Sequence, residues 1–260
     1  MPVLLMSTLT LDSVSVRFGG LQALADVSFS VQQGQIVGLI GPNGAGKTTV
    51  FNVITGVYRT SGGQVNYDGA SILGRRPHQV LAAGIARTFQ NIRLFQNMTA
   101  LENVMVARHC RTKSGVLGAV LRSPGQRKEE AGIREAAQEA LEFMGLGKYA
   151  AEVASSLPYG HQRRLEIARA LASSPRTILL DEPAAGMNPA ESKDLMGYIQ
   201  RILERGVNVL MVEHDMKVVM GVCQHIVVLD HGVLIAQGAP EEVQKDPCVI
   251  EAYLGQPADN

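Results

Sequence analysis

One octapeptide constrains this chain more than any other feature: Gly41-Pro42-Asn43-Gly44-Ala45-Gly46-Lys47-Thr48. It follows Ile36 to Ile40, a short apolar run that reads as a buried parallel strand. It leads into Lys47 to Thr55, which reads as a helix with Gly56 as its stop. Between a strand and a helix, the pattern GxxxxGK[ST] is a loop for phosphates. Its glycines let the backbone curl so that successive N–H groups point at phosphate oxygens, and the helix N-terminus adds partial positive charge. A chance Gly-rich turn would lack both flanks. Lys47 is expected to reach the β- and γ-phosphates, and the Thr48 hydroxyl to bind Mg2+. The cradle expected to hold the nucleotide runs on through Thr49.

A second half comes from Ile178-Leu179-Leu180-Asp181-Glu182. A buried strand delivers a carboxylate to the sheet edge where open α/β folds bind ligands. Asp181 is placed to hold Mg2+ in its outer shell. Glu182, one residue on, is placed to polarise a water. Alone it would read as a solvated acid or a helix-dipole partner.

The last third alternates strand and helix: Thr177 to Leu180, Ala190 to Glu204, Val207 to Val212, Asp215 to Val222, then Ile226 to Leu229 and Val233 to Gln237. This implies a mostly parallel sheet with helices on both faces. Antiparallel pieces precede it. Leu9, Leu11, Val14, Val16 and Phe18 alternate, with a slip at Asp12-Ser13 that fits a bulge, and Val27, Phe29 and Val31 face one way. Val65 to Tyr67 runs into an Asp68-Gly69 turn. The middle is helical: Thr99 to Glu102 fits a capping box, and Ile133, Ala137, Ala140, Leu141 and Met144 keep helical spacing before Gly145. Residues 108–127 carry glycines, Pro124 and basic residues, and read as a surface insertion or an ordinary loop.

Composition removes other classes. Twenty-four basic residues balance 24 acidic ones, which argues against a nucleic-acid binder working by bulk charge. Cys110, Cys223 and Cys248 form no metal spacing and read as reduced, half-buried thiols. No apolar run approaches the ~20 residues of a spanning helix, and Met1 to Thr10 lacks a basic leader region. Action at a membrane would need other chains.

The segment Leu157-Pro158-Tyr159-Gly160-His161-Gln162-Arg163-Arg164-Leu165-Glu166-Ile167-Ala168-Arg169-Ala170-Leu171 resembles the ABC signature motif and its following helix. Gln90 is similar to the Q-loop glutamine, Ala185 to Asn188 to the D-loop, His214 to the switch histidine, and Phe18 to the aromatic that stacks on adenine. All occur in the family's order, and the resemblance covers essentially the whole chain. It implies one domain over 7–255: a P-loop NTPase (RecA-like) α/β core, an N-terminal antiparallel β subdomain, and an α-helical subdomain at about 91–172. It also implies a mechanism. Two subunits pair head to tail around two ATP molecules, each held by the P-loop of one chain and by the signature of the other, here Tyr159, Gly160 and His161. Glu182 acts as general base, His214 orients the water, and Lys47 completes the catalytic set. Gln90, with Thr48 and Asp181, ligates Mg2+.

Arg87 to Phe95, Glu182 to Pro189, Val212 to Met220 and Ala252 to Gly255 are similar to the branched-chain amino acid importer ATPases of bacteria. That likeness implies a second ATPase subunit, non-identical or else a homodimer partner. It also implies integral permeases, a substrate-binding protein, and a peripheral place on the cytoplasmic face of the inner membrane. Nucleic acid is not an implied partner. Departures stand beside the likeness. Pro158 replaces the signature serine, Tyr159 its first glycine and His161 its glutamine; Asn188 replaces the D-loop aspartate. Pro158 has neither hydroxyl nor N–H, so one γ-phosphate donor of ~1.5–3 kcal/mol is lost. The rival readings are an ABC ATPase for another substrate such as lipopolysaccharide export, a soluble ABC ATPase of DNA repair or translation, and a non-hydrolysing regulatory module. Repair types need long heptads between P-loop and signature, translation types carry two cassettes, and a regulatory module would not keep Lys47, Asp181, Glu182 and His214.

Overall fold

A computed structural model describes residues 7–108 and 124–254. The chain opens with β1 (Ser7–Phe18) and β2 (Leu21–Gln32), paired antiparallel. The expected slip is a bulge: Leu11 faces Phe29 but Val14 faces Val27, and Ser13, at φ +49, donates its N–H to Ser28 Oγ at 2.8 Å. The bulge keeps Leu11 and Val14 both buried, which strict alternation would forbid. Then come β3 (Ile36–Ile40) and α1 (Lys47–Ile54). Gly56, at φ +72, ends that helical run with its N–H on Val53 O. β4 (Gly62–Tyr67) and β5 (Ala70–Ser71) join through Asp68 and Gly69, both at positive φ, in the order β2-β1-β4-β5.

The parallel sheet needs two elements that periodicity did not reveal, α2 (Pro77–Ala83) and β6 (Ile85–Arg87). They are too short to carry a period. The helical layer follows as α3 (Ala100–Arg108), α4 (Pro124–Phe143) and α5 (Tyr159–Ala172). The capping box at α3 is present: Thr99 N–H donates to Glu102 Oε2 at 2.8 Å, and Glu102 N–H to Thr99 Oγ1 at 3.2 Å. Most of the 108–127 insertion, with Cys110, lies outside the described residues. β7 (Thr177–Asp181), α6 (Pro189–Glu204), β8 (Asn208–Val212), α7 (Met216–Val222), β9 (His225–Asp230), β10 (Val233–Gly238), α8 (Pro240–Val243) and α9 (Pro247–Leu254) complete the chain.

The larger sheet has the order β10-β9-β3-β8-β7-β6, with only β10 antiparallel to its neighbour. Its central strands are apolar on both faces because each face is covered. Ile36, Ile40, Ile178 and Leu180 pack toward the α3–α7 layer, while Val37, Leu39, Leu179 and Leu210 pack with α1 and the antiparallel sheet. Each fully buried aliphatic side chain contributes about 1.5–3 kcal/mol, so these two cores hold the sheet edge rigid under the loops it carries. The thiols expected to be half-buried divide instead. Cys223 is buried beside Gly38, where a Cβ would lie 3.0 Å from its Sγ, and Cys248 is exposed. Burial pushes the Cys223 thiol up to about 12.

Candidate active site

Because β3, β8, β7 and β6 run parallel, their C-terminal ends share one edge. β3 ends in the phosphate loop, β7 in Asp181, β8 just before Glu213 and His214, and β6 in Arg87, three residues before Gln90. Adjacent strands thus bring to one edge residues far apart in sequence.

The loop's glycines are required by geometry at two positions. Gly41 has φ +145, and a Cβ there would lie 2.0 Å from Leu229 O; Gly46 has φ +101, and its Cβ would meet Leu24 Cδ2 at 2.8 Å. Gly46 has no side chain with which to cap α1, so the first N–H groups of that helix stay available to an anion. Ala45 is buried and braces the loop from inside, while Asn43, Gly44 and Thr48 are exposed and Pro42 and Thr49 half-buried. Lys47 Nζ lies back across the loop and donates to Gly41 O at 2.6 Å and Pro42 O at 2.8 Å. Burial pulls its ammonium below the ordinary lysine range, and the Glu182 and Asp181 carboxylates oppose that. Burial pushes the Tyr253 hydroxyl of α9 above the ordinary tyrosine range, and the nearby Gly41 backbone opposes that.

Asp181 is 4% exposed and does not stand alone. Its Oδ2 is held at 2.9 Å by Arg87 Nη2, a residue the sequence reading did not place in the site. The pair is buried on both sides, unlike the exposed Arg176–Asp68 pair. An exposed pair contributes about 0–1 kcal/mol, whereas breaking a buried one by removing a partner costs about 3–5 kcal/mol. Glu182 takes φ +47, a left-handed conformation that costs a non-glycine residue roughly 1–3 kcal/mol. Its N–H donates to Val212 O at 2.9 Å and its carbonyl accepts from Ala185 N–H at 3.1 Å. The turn brings the Glu182 carboxylate to Gln90, whose Nε2 donates to Oε2 at 2.8 Å. Two residues 92 apart in sequence, both expected at the site, therefore touch.

His214 is exposed, and its Nδ1 lies 3.9 Å from Glu213 Oε2. Glu213, 1% exposed, accepts from Ala184 N–H at 2.8 Å and His214 N–H at 3.3 Å, which ties the loop after β7 to the loop after β8. Asn188 acts as a helix cap: it accepts from Glu191 N–H at 3.0 Å, Glu191 caps back at 3.1 Å, and Pro189 follows. Phe18 is 45% exposed at the end of β1 and meets Tyr58 edge-on, with ring centroids 5.0 Å apart.

The signature residues sit at the start of α5. Gly160 is buried, and a Cβ there would lie 3.1 Å from Glu191 Oε1. The Tyr159 hydroxyl donates to Ala185 O at 3.0 Å and accepts from Arg163 Nε at 3.1 Å, so this side chain is committed to its own chain's D-loop. The His161 ring packs on Tyr149 at 4.7 Å, with Nδ1 buried and unpartnered. Arg163, nearly fully buried, donates to Phe89 O at 3.1 Å and to Gln90 O, and lies 3.7 Å from buried Glu166. Sequence reasoning gave Arg163 no role; its only signal was a charge on the apolar face of a helix.

The oxygens at this edge (a threonine hydroxyl, an amide, an aspartate) suit a small hard cation. Among the described residues no group of three His, Cys, Asp or Glu could hold a metal ion. A cation here would be shared with phosphate oxygens, as magnesium in nucleotide sites is.

Known proteins resemble this chain throughout. The profile of the family described as ABC transporter matches residues 24–185, and that of the branched-chain amino acid ATP-binding cassette transporter matches residues 233–259. The high-affinity branched-chain amino acid transport ATP-binding protein BraF of Pseudomonas aeruginosa is 46% identical over 95% of this chain and 98% of its own length. The corresponding LivG protein of Escherichia coli is 43% identical over the same shares. A solved ATP-binding cassette of an ABC transporter, in its ADP conformation, superposes with a TM-score of 0.85 at 34% identity, covering 96% of this chain and 100% of that one.

Proposed function

Because the chain belongs to the ABC transporter family and is an ATP-hydrolysing subunit of it, we propose that it powers import of branched-chain amino acids through separate membrane permeases. The observation that carries the substrate class is the C-terminal stretch, 233–259, which matches the branched-chain profile beyond the general cassette. That stretch includes Tyr253, whose hydroxyl lies near the backbone of the phosphate loop at Gly41.

The geometry supports a role for each site residue. Lys47 leaves the Gly41 and Pro42 carbonyls and transfers its hydrogen bonds to β- and γ-phosphate oxygens. The cradle from Gly41 to Thr49 presents N–H groups, those of Gly44, Gly46, Lys47, Thr48 and Thr49, to the same charge, and Phe18 offers an exposed face to the adenine. Glu182 takes the proton of the attacking water, and Gln90 releases it for that task by giving up their mutual hydrogen bond. His214 orients the water from the neighbouring loop. Mg2+, held by Thr48, Gln90 and Asp181, would neutralise phosphate charge. Gly160, with Tyr159 and His161 beside it, presents the N-terminus of α5 to the γ-phosphate bound by a second ATPase subunit.

No helix among the described residues is long and apolar enough to cross a membrane. The likeness to transport ATP-binding proteins supports a peripheral subunit on the cytoplasmic side of permeases, fed indirectly by a substrate-binding protein. Purification of the tagged chain from gently solubilised native membranes tests this. Integral permeases and a second ATPase should accompany it in fixed stoichiometry; a chain recovered free of membrane proteins rules the assignment out.

A further inference from the structure

Arg87 is a buried cation that the mechanism above does not use. Its guanidinium meets five groups at once, one of them Thr55 Oγ1, 3.4 Å from Nη1. Nη2 donates to Asp181 Oδ2 at 2.9 Å and Nη1 to Asn52 Oδ1 at 2.6 Å, while the Phe51 and Phe89 rings lie 5.3 and 5.2 Å from its Cζ. Nε is buried without a partner, so the group is not placed to satisfy its own hydrogen bonds best. It is placed to satisfy Asp181. A carboxylate this buried needs a positive partner at all times, and a metal arriving with the nucleotide can supply one for only part of the cycle.

We propose that Arg87 is a positioning residue that stands in for the divalent cation at Asp181. It keeps one carboxylate oxygen neutralised and fixed while the site holds no metal, and leaves the other oxygen for the ion. This rests on the reading of Asp181 as a magnesium-binding residue. The flat guanidinium suits the task because the two aromatic rings and Asn52 fix its plane, which a flexible ammonium could not match. Arg87 also lies three residues before Gln90, so the strand that pins the aspartate continues into the loop that reads the same edge.

Thermal unfolding without nucleotide tests the proposal without relying on activity. Arg87→Met keeps a stem of similar length between Phe51 and Phe89 but removes the charge. Its unfolding midpoint in chelator should fall by on the order of 10 °C. Millimolar Mg2+ alone should then recover much of that loss by binding the carboxylate left unpaired, while leaving the unsubstituted chain unmoved. The double variant Arg87→Met with Asp181→Asn has no charge left to compensate. It should fold, lie near Asp181→Asn alone, and ignore Mg2+. If Arg87→Met does not fold, the double variant still should, and its failure to fold overturns the proposal. Equal responses to Mg2+ in Arg87→Met and the parent chain also overturn it. The underlying reading fails separately: Asp181→Asn that keeps normal magnesium dependence of ATP hydrolysis removes Asp181 from the metal, whatever Arg87 does.

Discussion

Glu182 combines backbone strain with the proposed role of general base. It sits at φ +47 directly after Asp181, with its carboxylate bonded to Gln90. Glu182→Gln keeps the hydrogen bond but cannot take a proton. It should bind ATP as the parent does and hydrolyse it ~10²–10⁴-fold more slowly, the usual worth of a general base. Equilibrium binding with single-turnover hydrolysis checks this, and near-normal turnover removes Glu182 from the role. Glu213 makes a different prediction. Burial pushes its carboxyl above the usual carboxylate range, with the Ala184 and His214 N–H groups pulling the other way. The folded chain therefore keeps this proton at pH values where the unfolded chain has released it. The resulting stability is full below the unfolded pKa, near ~4.3, and is lost as pH rises through the raised folded one. Glu213→Gln should gain on the parent in thermal stability as pH rises from about 4.5 to 8; a gap that shrinks contradicts this. Lys47, Asp181 and Glu182 were legible in sequence because their chemistry demands those residue types at fixed spacing from a strand. Arg87 and Glu213 were not, because a lone charge beside a strand says nothing of a partner 94 or 29 residues away.

At the scale of elements, α5 is tied to the loop after β6 through three side chains, Arg163, Glu166 and Arg169, the last two meeting that loop at Arg93. Arg163 holds Phe89 O and Gln90 O, supports Tyr159, and neutralises Glu166, whose carboxyl burial pushes up and Arg169 pulls back. Arg163→Ala would leave Glu166 buried with less compensation and two carbonyls unpaired. It should cost about 3–5 kcal/mol, read by denaturant titration, and should lower hydrolysis by more than it weakens ATP binding, because Gln90 loses its backbone anchor. A cost under about 1 kcal/mol would make Arg163 a surface-like charge. The long elements were readable from period and caps: the β1 bulge at Ser13, the Thr99 cap, the Gly56 stop. α2 and β6 were not, since three residues of edge strand carry no alternation to detect. The Asn188-Pro189-Ala190-Glu191 cap was legible in principle, but Asn188 was read only as a departure from the D-loop aspartate.

At the scale of the molecule, the strand order decides function. It sets four loops along one edge, and the signature residues stand at the start of α5, with Tyr159 exposed and Gly160 buried. In the proposed pairing with a second ATPase subunit, Pro158 offers one hydrogen-bond donor fewer, and the two composite sites would be unequal. Pro158→Ser should alter hydrolysis at the partner's site and leave the site on Lys47 unchanged, as measured with one site at a time disabled by a Lys47-type substitution. A change at both sites, or a fully active homodimer of this chain, would contradict the unequal pair. The central claim is that hydrolysis at Lys47, Asp181 and Glu182 drives branched-chain amino acid import. The most direct measurement is uptake of radiolabelled leucine by liposomes holding the purified complex, with ATP on the side of this subunit. ATP-dependent uptake is expected, and Glu182→Gln in this chain should reduce it at least tenfold while the complex still assembles and binds ATP. Leucine uptake unaffected by Glu182→Gln, or an assembled complex that hydrolyses ATP and moves no branched-chain amino acid, would contradict it.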